Sequence, residues 1–355
     1  MEIVDVAVIG GGQSGLAAAH ALRHYGLTPV VLEASERPTG SWPHYYDSLT
    51  LFSPARYSAL PGMPVPGDPD RYPRRDEVVD YLLRYAAALD ADIRTGVRVT
   101  EVREAGGAYE VGSVGGGRVA ARAVIAATGS FGRPYRPQLP GLAGFEGELL
   151  HAADYATPEP FVGRRVVVVG AGNSAVQIAA ELARHSRVTL AIKAPVKFAR
   201  QRVLGRDLHA WLAATRLDTA PLGRFLRRPP RQPVLDDGRY RAALAAGAPE
   251  QRPMFTAVDG TKVTWPDGAV EAVDTIVLAT GYRPDLPYLR PLGALDADGR
   301  PLHREGLSIV RPRLAYLGLE WQRSLSSNTL RGVGVDAARV ARRLAGELAG
   351  RCRPQ

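Results

Sequence analysis

One pattern occurs twice in this chain, and it restricts the possible folds more than any other feature. Residues 3–9 form a nearly continuous apolar run, the glycine-rich stretch 10–15 follows, and an alanine-rich segment typical of a helix continues to Tyr25. The same order of apolar run and glycine turn returns at 165–169 and 170–175. A buried strand joined through a glycine turn to a helix begins a βαβ unit. The sequence therefore predicts an α/β fold with two Rossmann-like nucleotide-binding units.

The glycines of the first turn have separate physical tasks. Gly10 permits a tight turn, Gly12 removes a side chain where a pyrophosphate must approach the backbone, and Gly15 lets the helix pack closely on the strand. Gln13 and Ser14 lie at the start of that helix, where free N–H groups attract phosphate. The alternative is a tight turn without a ligand, but strand, glycines and helix together favour nucleotide binding.

An acidic residue, Glu33, ends the second strand predicted for the first unit. A carboxylate there can accept hydrogen bonds from both ribose hydroxyls, and it would repel a 2′-phosphate. Glu33 and the adjoining Ala34 are therefore predicted cofactor contacts. The first unit suits the adenosine of FAD or NAD.

The second unit keeps the first two glycines of the pattern, Gly170 and Gly172, and has Ala175 in third place. Alanine is a known variant at that position. Asn173 and Ser174 lie at the predicted start of the second helix. These residues are predicted to bind a second dinucleotide.

The second unit differs in charge, because its second strand ends at Lys193 and not at an acid. A cation there can pair with a 2′-phosphate, so NADPH is favoured, with NADH as the alternative. Arg200 and Arg202 are weaker candidates for the same contact. Another interpretation is that Lys193 is a surface lysine without a ligand.

Further motifs give the chain a resemblance to a known family. Residues 145–155 match the fingerprint FxGxxxHxxx[FYW] at every fixed position, directly before the second unit. Ala-Thr-Gly occurs at 127–129 and again at 279–281, and Gly-Ser-Trp occurs at 40–42. With these motifs the chain resembles the class B flavoprotein monooxygenases, and among them the short bacterial flavin-containing branch of CzcO-like and ArsO-like flavoproteins.

The resemblance implies two Rossmann-like domains of the three-layer ββα type, with an NAD(P)H-binding domain inserted into an FAD-binding domain. The FAD-binding domain would comprise residues 1–155 and 275–355, and its sheet would include a strand at 273–278. The NAD(P)H-binding domain would comprise residues 156–274.

The family motifs also imply cofactor contacts outside the two glycine turns. These predicted contacts are Ser41, Trp42, Phe52, Val97, Ala127, Thr128, Gly129, Thr280 and Gly281.

Phe52 and His151 are the two candidates for an influence on the chemistry. Longer relatives carry an active-site asparagine after the Gly-x-Trp segment, where this chain has Phe52, which cannot donate a hydrogen bond. This departure puts the yield of oxygenation in doubt. His151 of the fingerprint could be a catalytic acid, although the resemblance favours a structural role at a domain hinge.

The reaction that the resemblance implies needs FAD, NADPH, O2 and a small organic substrate. NADPH reduces the flavin, O2 forms a C4a-(hydro)peroxyflavin, and one oxygen atom passes to a sulfur, nitrogen or ketone substrate, in the last case as a Baeyer–Villiger reaction. The cofactors carry out the hydride transfer and the activation of oxygen. The main alternative is an NAD(P)H oxidase that produces hydrogen peroxide.

Two other classes of protein fit the sequence less well. A disulfide reductase of the two-dinucleotide type needs a redox cysteine pair, and Cys352 is the one cysteine of the chain. A flavin-holding binding module or redox sensor has little use for two complete nucleotide units.

Composition adds weaker expectations. The net charge is +9, but the arginines are scattered, so no nucleic-acid partner is expected. We expect no metal site, since cysteine-rich ligand sets are missing, and no membrane span, since no apolar run is long enough. The first residues run directly into a strand pattern, which favours a cytoplasmic protein. The sequence leaves a monomer and a homodimer open.

Overall fold

The computed structural model describes residues 3–226, 230 and 232–350. Within these ranges the α-helices are α1 (Gln13–His24), α2 (Arg75–Ala88), α3 (Asn173–Leu182), α4 (Leu208–Thr215), α5 (Arg239–Ala245) and α6 (Leu330–Ala349).

The strands of the same ranges are β1 (Ile3–Ile9), β2 (Pro29–Leu32), β3 (Asp92–Arg94), β4 (Val99–Ala105), β5 (Ala108–Ser113), β6 (Arg118–Ala126), β7 (Arg133–Pro134), β8 (Glu148–His151), β9 (Arg165–Val169), β10 (Arg187–Ile192), β11 (Phe198–Arg200), β12 (Arg202–Val203), β13 (Arg206–Asp207), β14 (Val234–Asp236), β15 (Glu250–Pro253), β16 (Ala257–Asp259), β17 (Lys262–Thr264), β18 (Val270–Ala272), β19 (Thr275–Leu278), β20 (Tyr282–Arg283), β21 (His303–Arg304), β22 (Leu307–Ser308) and β23 (Leu314–Tyr316).

The first sheet is built around a parallel core in the order β23-β6-β1-β2-β3. From β1 the chain goes to β2 and β3 on one side, whereas β6 and β23 lie on the other side. The strand order therefore reverses between β1 and β6. In an open α/β sheet, ligands bind at the carboxyl ends of the strands at such a switch point.

Both faces of the first sheet are covered, because alternate residues of β1 point in opposite directions. Val6 and Val8 pack in one core cluster with residues of α1, α2 and α6. Ala7 and Ile9 pack in another cluster with Tyr109, which lies in the β4–β5 hairpin. This arrangement of helices, parallel sheet and antiparallel strands confirms the predicted three-layer ββα fold.

The second sheet repeats the arrangement with the parallel order β15-β10-β9-β19-β8. Val166 and Val168 of β9 pack in one cluster with residues of α3. Val167 and Val169 pack in another with residues of the antiparallel strands β16 and β17. Here too the strand order reverses beside the glycine turn, between β9 and β19.

One expected strand placement is wrong. The strand expected at 273–278 in the first sheet is β19, and it belongs to the second sheet, where its residues pair with Val166–Val169 and with β8. All four residues of β19 are buried, so it is a central strand of that sheet. The second sheet therefore takes strands from before residue 156 and after residue 274, where the domain boundaries had been expected.

Candidate active site

A cavity of about 1730 Å³ is bounded by the carboxyl ends of strands from both sheets. The predicted contacts that line it are Gly10, Gly12, Gln13, Ser14, Glu33, Ala34, Ser41, Trp42, Phe52, Val97, Ala127, Thr128, Gly129, Gly170, Gly172, Asn173, Ser174, Lys193, Thr280 and Gly281. The fold thus gathers into one space residues that are far apart in the chain. Gly15, His151 and Arg200 are not part of its wall.

The first glycine turn is fixed by close backbone contacts. Gly10 has φ +104°, a conformation that side chains rarely adopt, and a Cβ on it would lie 3.0 Å from the Ala127 carbonyl. A Cβ on Gly15 would lie 1.8 Å from the carbonyl oxygen of Gly10. Gly15 thus allows the start of α1 to lie directly against the turn, which explains why it lies behind the cavity wall.

A second loop supports the same turn from the side. A Cβ on Gly12 would lie 3.1 Å from the Cα of Gly40, whose own φ is +58°. A side chain at Gly12 would therefore press on the loop around Gly40 as well as on a bound pyrophosphate.

Glu33 is held in place by donors from two segments. Its Oε2 accepts a hydrogen bond from the Gly11 N–H, and its Oε1 accepts from the N–H and the hydroxyl of Ser35 at 2.8 and 2.7 Å. Glu33 is buried, yet it borders the cavity. Because a carboxylate has about four lone-pair sites, an acceptor position stays available for a ribose hydroxyl.

Gln13 connects the start of α1 to the start of α6. The Trp42 Nε1 donates to the Gln13 Oε1 at 3.0 Å, and the Gln13 Nε2 donates to the Asn328 carbonyl at 2.8 Å. Thr329 caps α6 with its side chain, and both Asn328 and Thr329 line the cavity. The sequence motifs do not mark Asn328 or Thr329 as cavity residues, although Thr329 is a typical N-cap residue.

The second glycine turn is closely packed at its first glycine and open at its second. Gly170 has φ +145°, and a Cβ on it would lie 2.3 Å from the Ala279 carbonyl oxygen. A Cβ on Gly172 would meet no atom within 4 Å. The turn accommodates Ala175 as a fully buried residue, and exposed Lys193 borders the cavity at the end of β10.

Polar atoms at both turns are placed to receive a ligand. The helices α1 and α3 begin after Gly12 and Gly172, and no side chain caps their first N–H groups. Among the described residues, the buried Oδ1 atoms of Asn173 and Asn328 have no hydrogen-bond partner. Uncapped helix N-termini at a glycine turn bind phosphate groups. These residues therefore fit two dinucleotides, one at each turn.

His151 lies outside the cavity wall, so it is not placed to act as a catalytic acid on a ligand there. It is fully buried, its Nδ1 accepts from the Ala153 N–H at 3.0 Å, and its Nε2 lies 3.1 Å from the Gly281 carbonyl, to which it donates. Burial lowers the pKa of the imidazole. The Nε2 thus joins β8 to the turn after β19, and the Nδ1 supports the turn that directly follows β8, which agrees with the structural alternative.

The predicted cofactor contact Arg200 does not border the cavity. It is exposed on β11 and lies outside the cavity wall, whereas its neighbour Ala199 borders the cavity. Alternation of side chains along a strand explains the difference. Lys193 lies at the end of the second strand of its unit and borders the cavity, as predicted.

Phe52 borders the cavity beside a side chain that the sequence did not single out. Its ring lies nearly parallel to the imidazole of His209, with centroids 6.0 Å apart, and its carbonyl accepts from the Gln201 Nε2 at 2.9 Å. His209 lines the cavity too. No motif marks His209 or its neighbours, so packing alone reveals them.

No helix in the described part of the chain is long and apolar enough to cross a membrane. Two nucleotide-binding units that share one cavity define the class of a two-dinucleotide oxidoreductase. The class and the family agree: residues 7–219 match the profile described as pyridine nucleotide-disulphide oxidoreductase, and the chain belongs to this family.

Full-length relatives narrow the class. A CzcO-like oxidoreductase of Geobacillus kaustophilus is 32% identical over 340 residues, which cover 95% of this chain and 97% of the relative. The indole-3-pyruvate monooxygenase YUCCA1 of Oryza sativa is 32% identical over 94% of this chain and 90% of its own. The solved flavin-containing monooxygenase of Stenotrophomonas maltophilia superposes with a TM-score of 0.85 at 33% identity, over 98% of this chain and 100% of that one.

These findings confirm the resemblance to class B flavoprotein monooxygenases. The chain is an oxidoreductase of the flavin-containing monooxygenase class, which uses a flavin and a nicotinamide cofactor. Such activity needs O2 and a small substrate.

Proposed function

We propose that the protein is an FAD-dependent monooxygenase that uses NADPH and inserts one atom of O2 into a small nucleophilic or ketone substrate. The observation that carries this proposal is the cavity shared by the two glycine turns. A nicotinamide held at one turn can extend toward a flavin held at the other, as hydride transfer between them requires.

FAD is assigned to the first unit. The fixed Glu33 carboxylate suits unmodified ribose hydroxyls, and the close support of the turn by Gly40 suits a cofactor that stays bound. On the observed sheets, this FAD-binding domain would comprise about 1–147 and 279–355. The inserted domain, about 148–278, would hold NADPH.

NADPH is assigned to the second unit because of Lys193. This exposed cation borders the cavity at the end of β10, in the position corresponding to Glu33 at the end of β2. A cation there attracts the 2′-phosphate that an acid would repel. NADH is the weaker alternative.

The bound flavin supplies the redox chemistry. The chain binds the two cofactors, orients them and shields the reacting atoms from water. The N-terminus of α1 would hold one pyrophosphate and that of α3 the other. Phe52 and Trp42 contribute apolar and aromatic wall near the proposed flavin, which keeps water from the reacting atoms.

The substrate class is tested by NADPH consumption with a panel of sulfides, amines, ketones and organoarsenicals, with hydrogen peroxide measured in parallel. An α-keto acid belongs in the panel, because the rice relative is named for indole-3-pyruvate. Substrate-dependent formation of an S-oxide, N-oxide, ester or lactone supports the proposal. NADPH consumption that yields peroxide alone across the panel contradicts it.

An NAD(P)H oxidase is the second candidate, and apolar Phe52 at the cavity wall favours it. With fewer hydrogen-bond donors at the oxygen-reactive edge, peroxide is lost more easily. The same panel separates the two functions through the ratio of peroxide to oxygenated product.

A further inference from the structure

An aspartate and a histidine form a hydrogen-bonded pair on the cavity wall, outside both glycine turns. Asp207 is the N-cap of α4, and its Oδ1 accepts from the backbone N–H of His209 at 2.8 Å and lies 2.9 Å from the His209 Nδ1. The side chains are 14% and 10% exposed. The helix start therefore fixes the aspartate and the imidazole relative to each other.

The other oxygen of Asp207 is also satisfied. Its Oδ2 accepts from the Gln201 Nε2 at 2.7 Å and from the Tyr72 hydroxyl at 2.5 Å. Burial by itself raises the pKa of Asp207, but the hydrogen bonds from His209, Tyr72 and Gln201 outweigh it and lower the pKa to about 2. Asp207 is thus a carboxylate at every pH at which the protein would work, and the His209 Nδ1 donates to it.

The second nitrogen of His209 stays available. Among the described residues no hydrogen-bond partner is found for its Nε2, and His209 borders the cavity. The ring is nearly parallel to Phe52 and to Tyr57, at interplanar angles of 24° and 25°. With Nδ1 bound and both rings restricting rotation, the imidazole offers Nε2 as its one free polar atom.

We propose that the Nε2 of His209 is the proton-transfer group of this cavity, and that Asp207 is its positioning residue. The inference rests on the proposed function, whose balance is substrate + O2 + NADPH + H⁺ → oxygenated substrate + H2O + NADP⁺. The oxidase alternative, O2 + NADPH + H⁺ → H2O2 + NADP⁺, also consumes one proton. The imidazolium donates that proton and solvent restores it.

The pair has the features that proton transfer needs. A histidine changes its charge near neutral pH, and a carboxylate on Nδ1 selects the tautomer that leaves Nε2 to exchange protons. Among the described residues, the titratable and charged groups that face the pair are Tyr57 on the imidazole, Tyr72 on Asp207 and Arg202 near Tyr72. Asp218, which is paired with Arg331, lines the same cavity. Burial, followed by the bond to Asp207, raises the pKa of Tyr72 to about 12, so Tyr72 stays neutral in the working range.

The test follows the reoxidation of reduced, NADP⁺-bound holoenzyme by O2 as a function of pH. In the wild type we expect the rate to fall as pH rises through the titration of one group. His209→Gln should lower the rate at neutral pH by about 100-fold and remove that inflection. Asp207→Asn should lower the rate as well, because the imidazole loses the carboxylate that fixes its tautomer. His185→Gln, at an exposed histidine outside the cavity wall, is the matched control and should behave as the wild type.

A second readout needs neither turnover nor a variant. Nitrogen-15 NMR of the wild-type holoenzyme, with the histidines assigned sequentially, should show His209 protonated at Nδ1 in its neutral form, because that nitrogen lies 2.9 Å from the Asp207 carboxylate. An unprotonated Nδ1 would overturn the inference, and so would an unchanged inflection in folded His209→Gln. A protein that makes only peroxide fails the proposed function, whereas the inflection still decides the role of His209.

Discussion

The two glycine turns share one plan, yet they differ in how closely the rest of the chain approaches them. In the first, Gly15 touches the turn so closely that a methyl group would lie 1.8 Å from a carbonyl oxygen, and Gly40 backs Gly12. In the second, Gly170 is closely packed too, but Ala175 is tolerated and no atom of the described residues lies within 4 Å of a Cβ on Gly172. One βαβ plan can therefore give a closely supported site and an open one.

The charged residues that end the second strands of the two units differ in a similar way, because one is fixed by the fold and the other is exposed. Glu33 is buried and held by Gly11 and Ser35, whereas Lys193 is exposed at the cavity edge. A fixed acid suits a cofactor that is never exchanged. An exposed cation suits a phosphorylated cofactor that must enter and leave in every cycle.

The largest effect should come from closing the space at the first turn. Gly15→Ala places a methyl group against the Gly10 carbonyl, and we expect most bound flavin to be lost and the protein destabilised by about 1–3 kcal/mol or more. The flavin-to-protein absorbance ratio and thermal unfolding measure this. Ala175→Gly, the corresponding change in the second unit, should leave the flavin ratio unchanged. Full flavin content in Gly15→Ala would show that the first turn is no tighter than the second.

Filling the open second turn should act on the nicotinamide alone. Gly172→Val directs its side chain into the cavity, and we expect NADPH to bind about 100-fold more weakly, which corresponds to roughly 2.7 kcal/mol. Anaerobic bleaching of the flavin at varied NADPH concentration gives the affinity. Gly144→Ala, at a glycine outside the cavity, serves as the control. Loss of flavin in Gly172→Val would contradict the assignment of the two cofactors.

The contrast between Glu33 and Lys193 predicts a change in cofactor preference. Lys193→Ala should raise KM for NADPH and leave that for NADH nearly unchanged, since a charge-assisted contact contributes about 1–3 kcal/mol, or about 5- to 150-fold in specificity. Steady-state kinetics with both cofactors checks this. Lys197→Ala removes an exposed lysine outside the cavity wall and should not change the ratio. Equal losses with both cofactors would make Lys193 a general structural residue.

The smallest effect concerns Phe52, which belongs to neither turn. We expect the wild type to release part of the consumed O2 as peroxide, and Phe52→Asn to raise the ratio of oxygenated product to peroxide by about 2- to 10-fold, the value of one hydrogen bond. Product and peroxide yields per NADPH measure it. Phe225→Asn, at an exposed phenylalanine, is the control. Near-complete coupling in the wild type would show that Phe52 has no such influence.

Several features could be predicted because their causes are local. The two strand–glycine–helix units, the acid at Glu33 and the lysine at Lys193 are written in short stretches of sequence, and all of them reach the cavity as expected. The repeated Ala-Thr-Gly was recognised as a motif, but its reason is tertiary. In each sheet it follows the strand that lies next to the strand before the glycine turn.

The sequence by itself determined the fold class, the two nucleotide-binding turns and the family, since alternation, turn glycines and spacing depend on neighbours along the chain. Only the tertiary structure decided that β19 joins the second sheet, that the His151 Nε2 bonds the Gly281 carbonyl, and that the Asp207–His209 pair lies beside Phe52. Apolar strands such as Thr275–Leu278 can pair in either sheet, and the sequence does not reveal which groups a histidine will hydrogen-bond. Long-range packing makes those choices, because it alone sets which buried polar atoms find hydrogen bonds.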